Sequence, residues 1–130
     1  RLGAERLKGG YAFKQLLNEN GWLPLGTDFP VEEINPFKTF LAAVARQDSK
    51  GFPAGGFQME NALSREETLK GMTIWAAYSN FEENEKGSIE VGKFADFVIL
   101  SQDIMKVAGK EIPKTTVKST FLHGERVFKN

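Results

Sequence analysis

Two side chains carry chemistry that a site could use: the carboxylate of Asp28 and the imidazole of His123, the one histidine among 130 residues. Asp28 follows Gly26, which ends a short apolar run at residues 22–25. In parallel α/β folds, the residues after the carboxyl end of a strand build the sites, so this position favours a functional side chain. Gly, Thr, Asp and Pro also gather in turns for backbone reasons alone, and a plain turn residue is the alternative.

The other acidic residues and the histidine favour structural roles. His123 precedes Gly124 between two short alternating runs, which predicts an exposed hairpin turn rather than a ligand. Asp96 enters a predicted strand, where a short acid accepts hydrogen bonds from nearby backbone amides. The acidic run at residues 82–85 indicates a solvated linker. A metal site that needs several imidazoles cannot be completed from this chain alone.

The elements around Asp28 indicate an α/β unit. Phe13, Leu16 and Leu17 fall on one helical face, and Gly21 is a suitable helix stop. Residues 22–25 then predict a short buried strand, although Pro24 cannot donate a hydrogen bond to a neighbouring strand.

The middle of the chain predicts two further helices and a long loop. A helix is expected over residues 36–44, and a capping box at Ser64 and Glu67 opens another that runs to about residue 80, with Leu69 and Met72 on its buried face. The loop at residues 47–59 is rich in glycine and proline, and such loops are usually functional or mobile. Its aromatic side chains, Phe52 and Phe57, either line a substrate entrance or fix the loop to the body.

The last part of the chain changes to the period of a strand. Runs at residues 94–100, 118–122 and 125–129 predict an antiparallel sheet. We therefore place a domain boundary between residues 86 and 87.

Composition bounds the function classes. The 17 basic and 17 acidic residues balance, so no charge pattern favours nucleic acid or an anionic membrane as a partner. The chain has no run long and apolar enough to span a bilayer, and no cysteine. The absence of cysteine agrees with a reducing, cytoplasmic compartment. Because the chain begins at Arg1 rather than at methionine, we expect it to be a piece of a longer protein.

Three ordered motifs resemble those of the amidohydrolases. Residues 26–31, GTDFPV, resemble the GSDxPV signature that follows their last barrel strand. Residues 63–77 resemble their LTxEEAL…TxNxA helix, and residues 86–100 resemble the GSIExGKxADLVVL return into their β-sandwich. Residues 45–48 and 76–78 are similar to the YtcJ-like branch, which includes N-substituted formamide deformylases.

The resemblance implies a metal-dependent hydrolase on a distorted (β/α)₈ barrel with a flanking β-sandwich. Residues 1–86 would be the last part of the barrel and residues 87–130 the sandwich segment. Asp28 matches the acid that ligates a divalent metal, usually zinc, or takes the proton of the attacking water. The histidines and the bridging carboxylate or lysine of the family would lie before Arg1. We therefore expect a small-molecule substrate with a C–N bond, and an inactive fragment.

Two other interpretations stay open from the sequence. The chain could belong to a non-catalytic binding or regulatory module that keeps the amidohydrolase frame without its metal. It could also form homo-oligomers, since a barrel cut before its last units exposes apolar faces and a strand edge.

Overall fold

The computed structural model describes residues 3–130 as short helices that precede a three-stranded sheet. The helices are α1 (Gly3–Leu7), α2 (Phe13–Asn20), α3 (Pro36–Ala45), α4 (Arg65–Met72) and α5 (Ile74–Ser79), and two 3₁₀ segments cover Met59–Asn61 and Gly109–Lys114. No helix within residues 3–130 is long and apolar enough to cross a membrane.

Local chemistry explains where three of the helices begin or end. The Asn35 side chain accepts a hydrogen bond of 3.0 Å from the first turn of α3, and Pro36 occupies its first position. The predicted capping box is confirmed, because Ser64 and Glu67 exchange hydrogen bonds at the start of α4. Gly21 ends α2 in the left-handed conformation, with φ of 80°.

Helix α3 lies at the centre of two apolar clusters. In one cluster α3 packs against the second 3₁₀ segment, and in the other it packs against α2 and the residues just before α4. The buried members of the first cluster are Phe37, Phe40, Leu41 and Ile112, and those of the second are Leu17, Ala43 and Leu63. Because Ile112 is fully buried against α3, one core joins residues on both sides of the predicted domain boundary. The boundary itself stays a prediction.

The predicted antiparallel sheet is confirmed. Strands β1 (Phe97–Leu100), β2 (Val117–Leu122) and β3 (Glu125–Lys129) pair in the order β1-β2-β3. His123 and Gly124 form the turn between β2 and β3, and both have positive φ, as a tight two-residue hairpin turn requires. The stacked rings of Phe97 and Phe121, 4.5 Å apart, strengthen the pairing of β1 with β2.

The predicted strand at residues 22–25 is not formed in the described part of the chain. These residues are extended but lie against helix α4, where the Leu25 amide donates to the Gly71 carbonyl at 2.9 Å. A strand is defined by a ladder to a neighbouring strand, and no described strand pairs with this segment. Pro24 also removes one donor. The structure agrees with the predicted α/β class, but residues 22–25, which were predicted as the last barrel strand, have no strand partner among the described residues.

Two helical predictions were also too simple. The helix that begins after Ser64 breaks at Thr73, whose φ of −130° and ψ of −95° separate α4 from α5. The predicted buried faces were partly wrong, since Leu16 is 54% and Leu69 38% exposed. Both residues therefore remain partly open to solvent.

Candidate functional site

Asp28 begins a tight turn immediately after the extended segment. Its φ of 52° places it in the left-handed region, and its carbonyl accepts a hydrogen bond of 2.8 Å from the Val31 amide. The turn interpretation of Asp28 is therefore correct for its backbone. Its side chain is exposed, and none of the hydrogen bonds or ion pairs among residues 3–130 involves the carboxylate. The acid is thus available to an outside group, and the turn role does not exclude a chemical role.

Helix α4 holds the segment that delivers Asp28. Gly71 is buried, and a methyl group added there would lie 2.8 Å from Leu25 Cγ and 2.9 Å from the Leu23 carbonyl oxygen. Such distances are shorter than real contacts, so only glycine allows the segment to approach the helix this closely. The backbone hydrogen bond from Leu25 to Gly71 fixes the same approach.

An open cleft of about 800 Å³ lies beside the Asp28 turn. Gly26 and Thr27 form part of its wall. The start of α2, residues 32–33, helix α3 and the long loop also contribute. Phe52 and Phe57 from that loop both line the cleft. Phe52 is 72% exposed, whereas Phe57 is half-buried, so the entrance interpretation fits Phe52 and the anchoring interpretation fits Phe57.

Arg46 is the buried charge of the cleft. It ends α3 in the left-handed conformation and is only 8% exposed. Its Nε donates to the Phe57 carbonyl at 2.9 Å, and its guanidinium lies 5.5 Å from the ring centroids of Phe13 and Phe57. Burial lowers the pKa of Arg46, and the charge of Glu60 opposes that shift. In the sequence, Arg46 stood out only as part of a family motif. Its position as a charged residue at the end of an apolar helix was the signal that could have marked it as a cleft residue.

The neighbouring Asp48 organises the loop. Its carboxylate accepts hydrogen bonds from the Phe52 amide at 2.9 Å and the Lys50 amide at 2.8 Å. These backbone donors lower the pKa of Asp48, and the Phe52 amide has the largest effect. Since its own loop already occupies this carboxylate, Asp48 shapes the cleft.

The remaining candidate residues lie in the sheet region and do not complete a site with Asp28. Asp96 Oδ1 accepts a hydrogen bond of 2.7 Å from the His123 amide, which agrees with the predicted structural role of Asp96. The imidazole of His123 is exposed and packs edge-on against Phe94 at 4.5 Å. Within the described range, no three His, Cys, Asp or Glu residues are close enough to hold a metal ion. Residues 3–130 therefore do not fit a complete metal centre by themselves.

Sequence comparison identifies the family. A model described as "Amidohydrolase family" matches residues 1–128, and the chain therefore belongs to the amidohydrolase family. Among curated proteins, "Protein LONG AFTER FAR-RED 3" from Arabidopsis thaliana is 36% identical over 98% of this chain and 22% of its own length. "Putative amidohydrolase YtcJ" from Bacillus subtilis is 28% identical over 98% of this chain and 24% of its own length, which confirms the YtcJ-like resemblance. "N-substituted formamide deformylase" from Arthrobacter pascens is 28% identical over 88% of this chain and 20% of its own length.

Structural comparison gives the same fold. An amidohydrolase from Thermotoga maritima superposes with a TM-score of 0.68 at 24% sequence identity. The match covers 92% of this chain and 26% of that structure. The chain thus spans about a quarter of the length of the relatives it matches.

Proposed function

We propose that the complete protein containing these residues is a hydrolase of C–N bonds in amides, formamides or cyclic amides, with Asp28 as its proton acceptor. The observation that carries the proposal is the carboxylate of Asp28, which has no partner among residues 3–130 and directly follows Gly26 and Thr27 in the wall of an open cleft. When water adds to a carbonyl carbon, a proton must leave the water, and a carboxylate without other partners can hold it. The backbone turn holds that acid in one place, because both its carbonyl and its neighbours are hydrogen-bonded.

The proposal includes a divalent metal, zinc being the expected ion. Asp28 is the one candidate ligand among residues 3–130, and a metal centre needs three or four ligands, so the others must come from elsewhere in the complete protein. A bound metal ion would activate the attacking water. The residues described here would then orient the substrate and hold a proton at the Asp28 carboxylate, and they would be inactive alone.

The proposed frame follows from the family. Residues 26–31 would follow the last strand of a (β/α)₈ barrel, and the β1–β3 sheet would belong to a β-sandwich. In such a barrel, residues 22–25 would gain the strand partner that they lack here. We propose a small-molecule substrate and neither nucleic acid nor membrane as a partner. A cytoplasmic location and homo-oligomer formation are part of the same proposal.

The substrate class is drawn from chemistry and from one relative. The name of the Arthrobacter protein states action on N-substituted formamides. The cleft beside Asp28 is large enough for a small amide, and its lining combines apolar and aromatic side chains with charged ones. Amides with an apolar substituent on nitrogen are therefore the first compounds to test.

The test is metal content and hydrolysis by the complete protein, beside the same protein with Asp28→Asn. Asparagine keeps the shape and tolerates the left-handed backbone, but it cannot take the proton. We expect bound metal and a loss of about 100-fold in kcat/KM for the variant, with circular dichroism unchanged. Asp96→Asn, which removes a carboxylate from the sheet region, is the matched control.

Two results would overturn the proposal. A complete protein that binds no metal and hydrolyses none of a panel of formamides, linear amides and cyclic amides would support the non-catalytic binding module instead. An Asp28→Asn variant with undiminished turnover would remove Asp28 from the reaction.

A further inference from the structure

Arg46 is a buried cation whose charge the described chain does not neutralise. Its residue surface is 8% exposed, and no ion pair joins it to a carboxylate among residues 3–130. Glu60 is the acid whose charge acts on it, but Glu60 is exposed and makes no ion pair with Arg46. Removal of an unpaired charge from water costs several kcal/mol in effective terms, so a buried cation needs an anionic partner.

The hydrogen-bonding capacity of Arg46 is also incomplete. Nε is used by the Phe57 carbonyl, but Nη2 is buried and has no hydrogen-bond partner within residues 3–130. Phe13 and Phe57 lie beside the guanidinium and attract it through their rings, yet rings do not replace hydrogen-bond acceptors. An acceptor is therefore missing on the side of Arg46 that Phe57 does not use.

The other cation of the cleft, Lys38, and the Asp48 carboxylate already have partners among the described residues. Lys38 forms an ion pair with Glu33, and the Asp48 carboxylate is held by backbone amides. Glu32 also lines the cleft and adds negative charge. Of the cations that line the cleft, Arg46 is therefore the one without an anionic partner among residues 3–130.

We infer that Arg46 binds a carboxylate group of the substrate, so that the preferred substrates are amides with a carboxylate beside an apolar group. This inference rests on the proposed hydrolase function. A carboxylate supplies the negative charge that Arg46 lacks among residues 3–130, and it forms strong charge-assisted hydrogen bonds with a guanidinium. The rings of Phe13 and Phe57 give the adjacent apolar group a surface to pack on.

The test compares two compounds that differ by one carboxylate: N-formylphenylalanine and N-formyl-2-phenylethylamine. Calorimetric titration of the complete protein carrying Asp28→Asn measures binding without turnover. We expect N-formylphenylalanine to bind about tenfold more tightly or better, and Arg46→Gln to abolish that preference. Arg46→Lys keeps the charge but not the planar fork, so it should retain only part of the preference.

The control variant is Lys38→Gln, which removes a charge from the same cleft. Because Lys38 is paired with Glu33, its loss should change the preference by less than about twofold. Circular dichroism checks each variant for folding. If Arg46→Gln fails to fold, Arg46→Lys decides the result.

The outcomes separate this inference from the proposed function. Equal binding of both compounds, an unchanged preference in both Arg46 variants, or no binding of either compound overturns the role of Arg46. If the protein hydrolyses no amide but still prefers the carboxylate compound in a way that depends on Arg46, the carboxylate site is supported. Only the hydrolase proposal is then overturned.

Discussion

The Asp28 turn and the Asp96 corner of the sheet place the same residue type in two different situations. Asp96 is half-buried, and its carboxylate accepts the His123 amide, which ties the β2–β3 hairpin to the residues before β1. Asp28 is exposed, and its carboxylate has no partner among the described residues. A carboxylate occupied by its own backbone stabilises the fold, whereas a free one beside a cleft can act on a ligand. Partners therefore separate the two roles more clearly than residue type.

The variant with the largest expected effect on stability tests whether helix α4 holds the segment that leads to the Asp28 turn. Gly71→Ala places a methyl group 2.8 Å from Leu25 Cγ, so the extended segment must move away from α4. We expect a loss of about 1–2 kcal/mol in the free energy of unfolding, after the gain in helix propensity is subtracted. Turnover by the complete protein should fall as well, because Asp28 moves with the segment.

Urea denaturation measures the change caused by Gly71→Ala. Gly109→Ala is the matched control, since a methyl group there meets no atom within 4 Å. Equal stability of the two variants would mean that the segment does not depend on its contact with α4.

A smaller effect separates the two aspartates directly. Asp96→Ala removes the acceptor of the His123 amide and should cost about 1 kcal/mol of stability. Asp28→Asn removes no described hydrogen bond, and asparagine adopts positive φ at least as readily, so its unfolding free energy should change by less than about 0.5 kcal/mol. Denaturant titration of both variants checks the difference. A stability loss at Asp28 as large as that at Asp96 would contradict the view that its carboxylate is free.

The smallest expected effect on stability concerns Glu67, whose carboxylate, like that of Asp96, has hydrogen-bond partners. Lys14 donates to it and, with Ser64, lowers its pKa. Because the folded pKa lies below the unfolded value, near 4.3, the stabilisation is present above that pH and is lost as the pH falls through the folded pKa. Glu67→Gln should therefore cost about 0.5–1 kcal/mol at pH 7 and progressively less in acid.

Thermal or urea unfolding at several pH values measures this loss. The control is Glu66→Gln, which breaks an exposed ion pair with Lys70 and should cost about 0.3 kcal/mol. A cost at Glu67 that is independent of pH would mean that its charge does not stabilise the fold.

The elements that sequence reasoning predicted well are those with local causes. The backbone is controlled by groups a few residues away at Pro36, at Ser64 and at the His123–Gly124 pair. Helix α3, the start of α4 and the hairpin therefore lie close to their predicted positions. The segment at residues 22–25 failed as a strand because pairing depends on a partner distant in the sequence. The break at Thr73 escaped prediction although Gly71 lies two residues before it, because an isolated glycine inside a helical pattern is tolerated.

The site divides in the same way. The amino-acid sequence by itself placed Asp28 in a turn after an apolar run, and its motifs identified the amidohydrolase family, because turn chemistry and motif order are local properties of the chain. Only the tertiary structure decided that, among residues 3–130, the Asp28 carboxylate has no partner and Arg46 is buried without an anion. Burial and hydrogen-bond partners depend on contacts between distant segments, here α2, α3 and the long loop, and no local pattern records them.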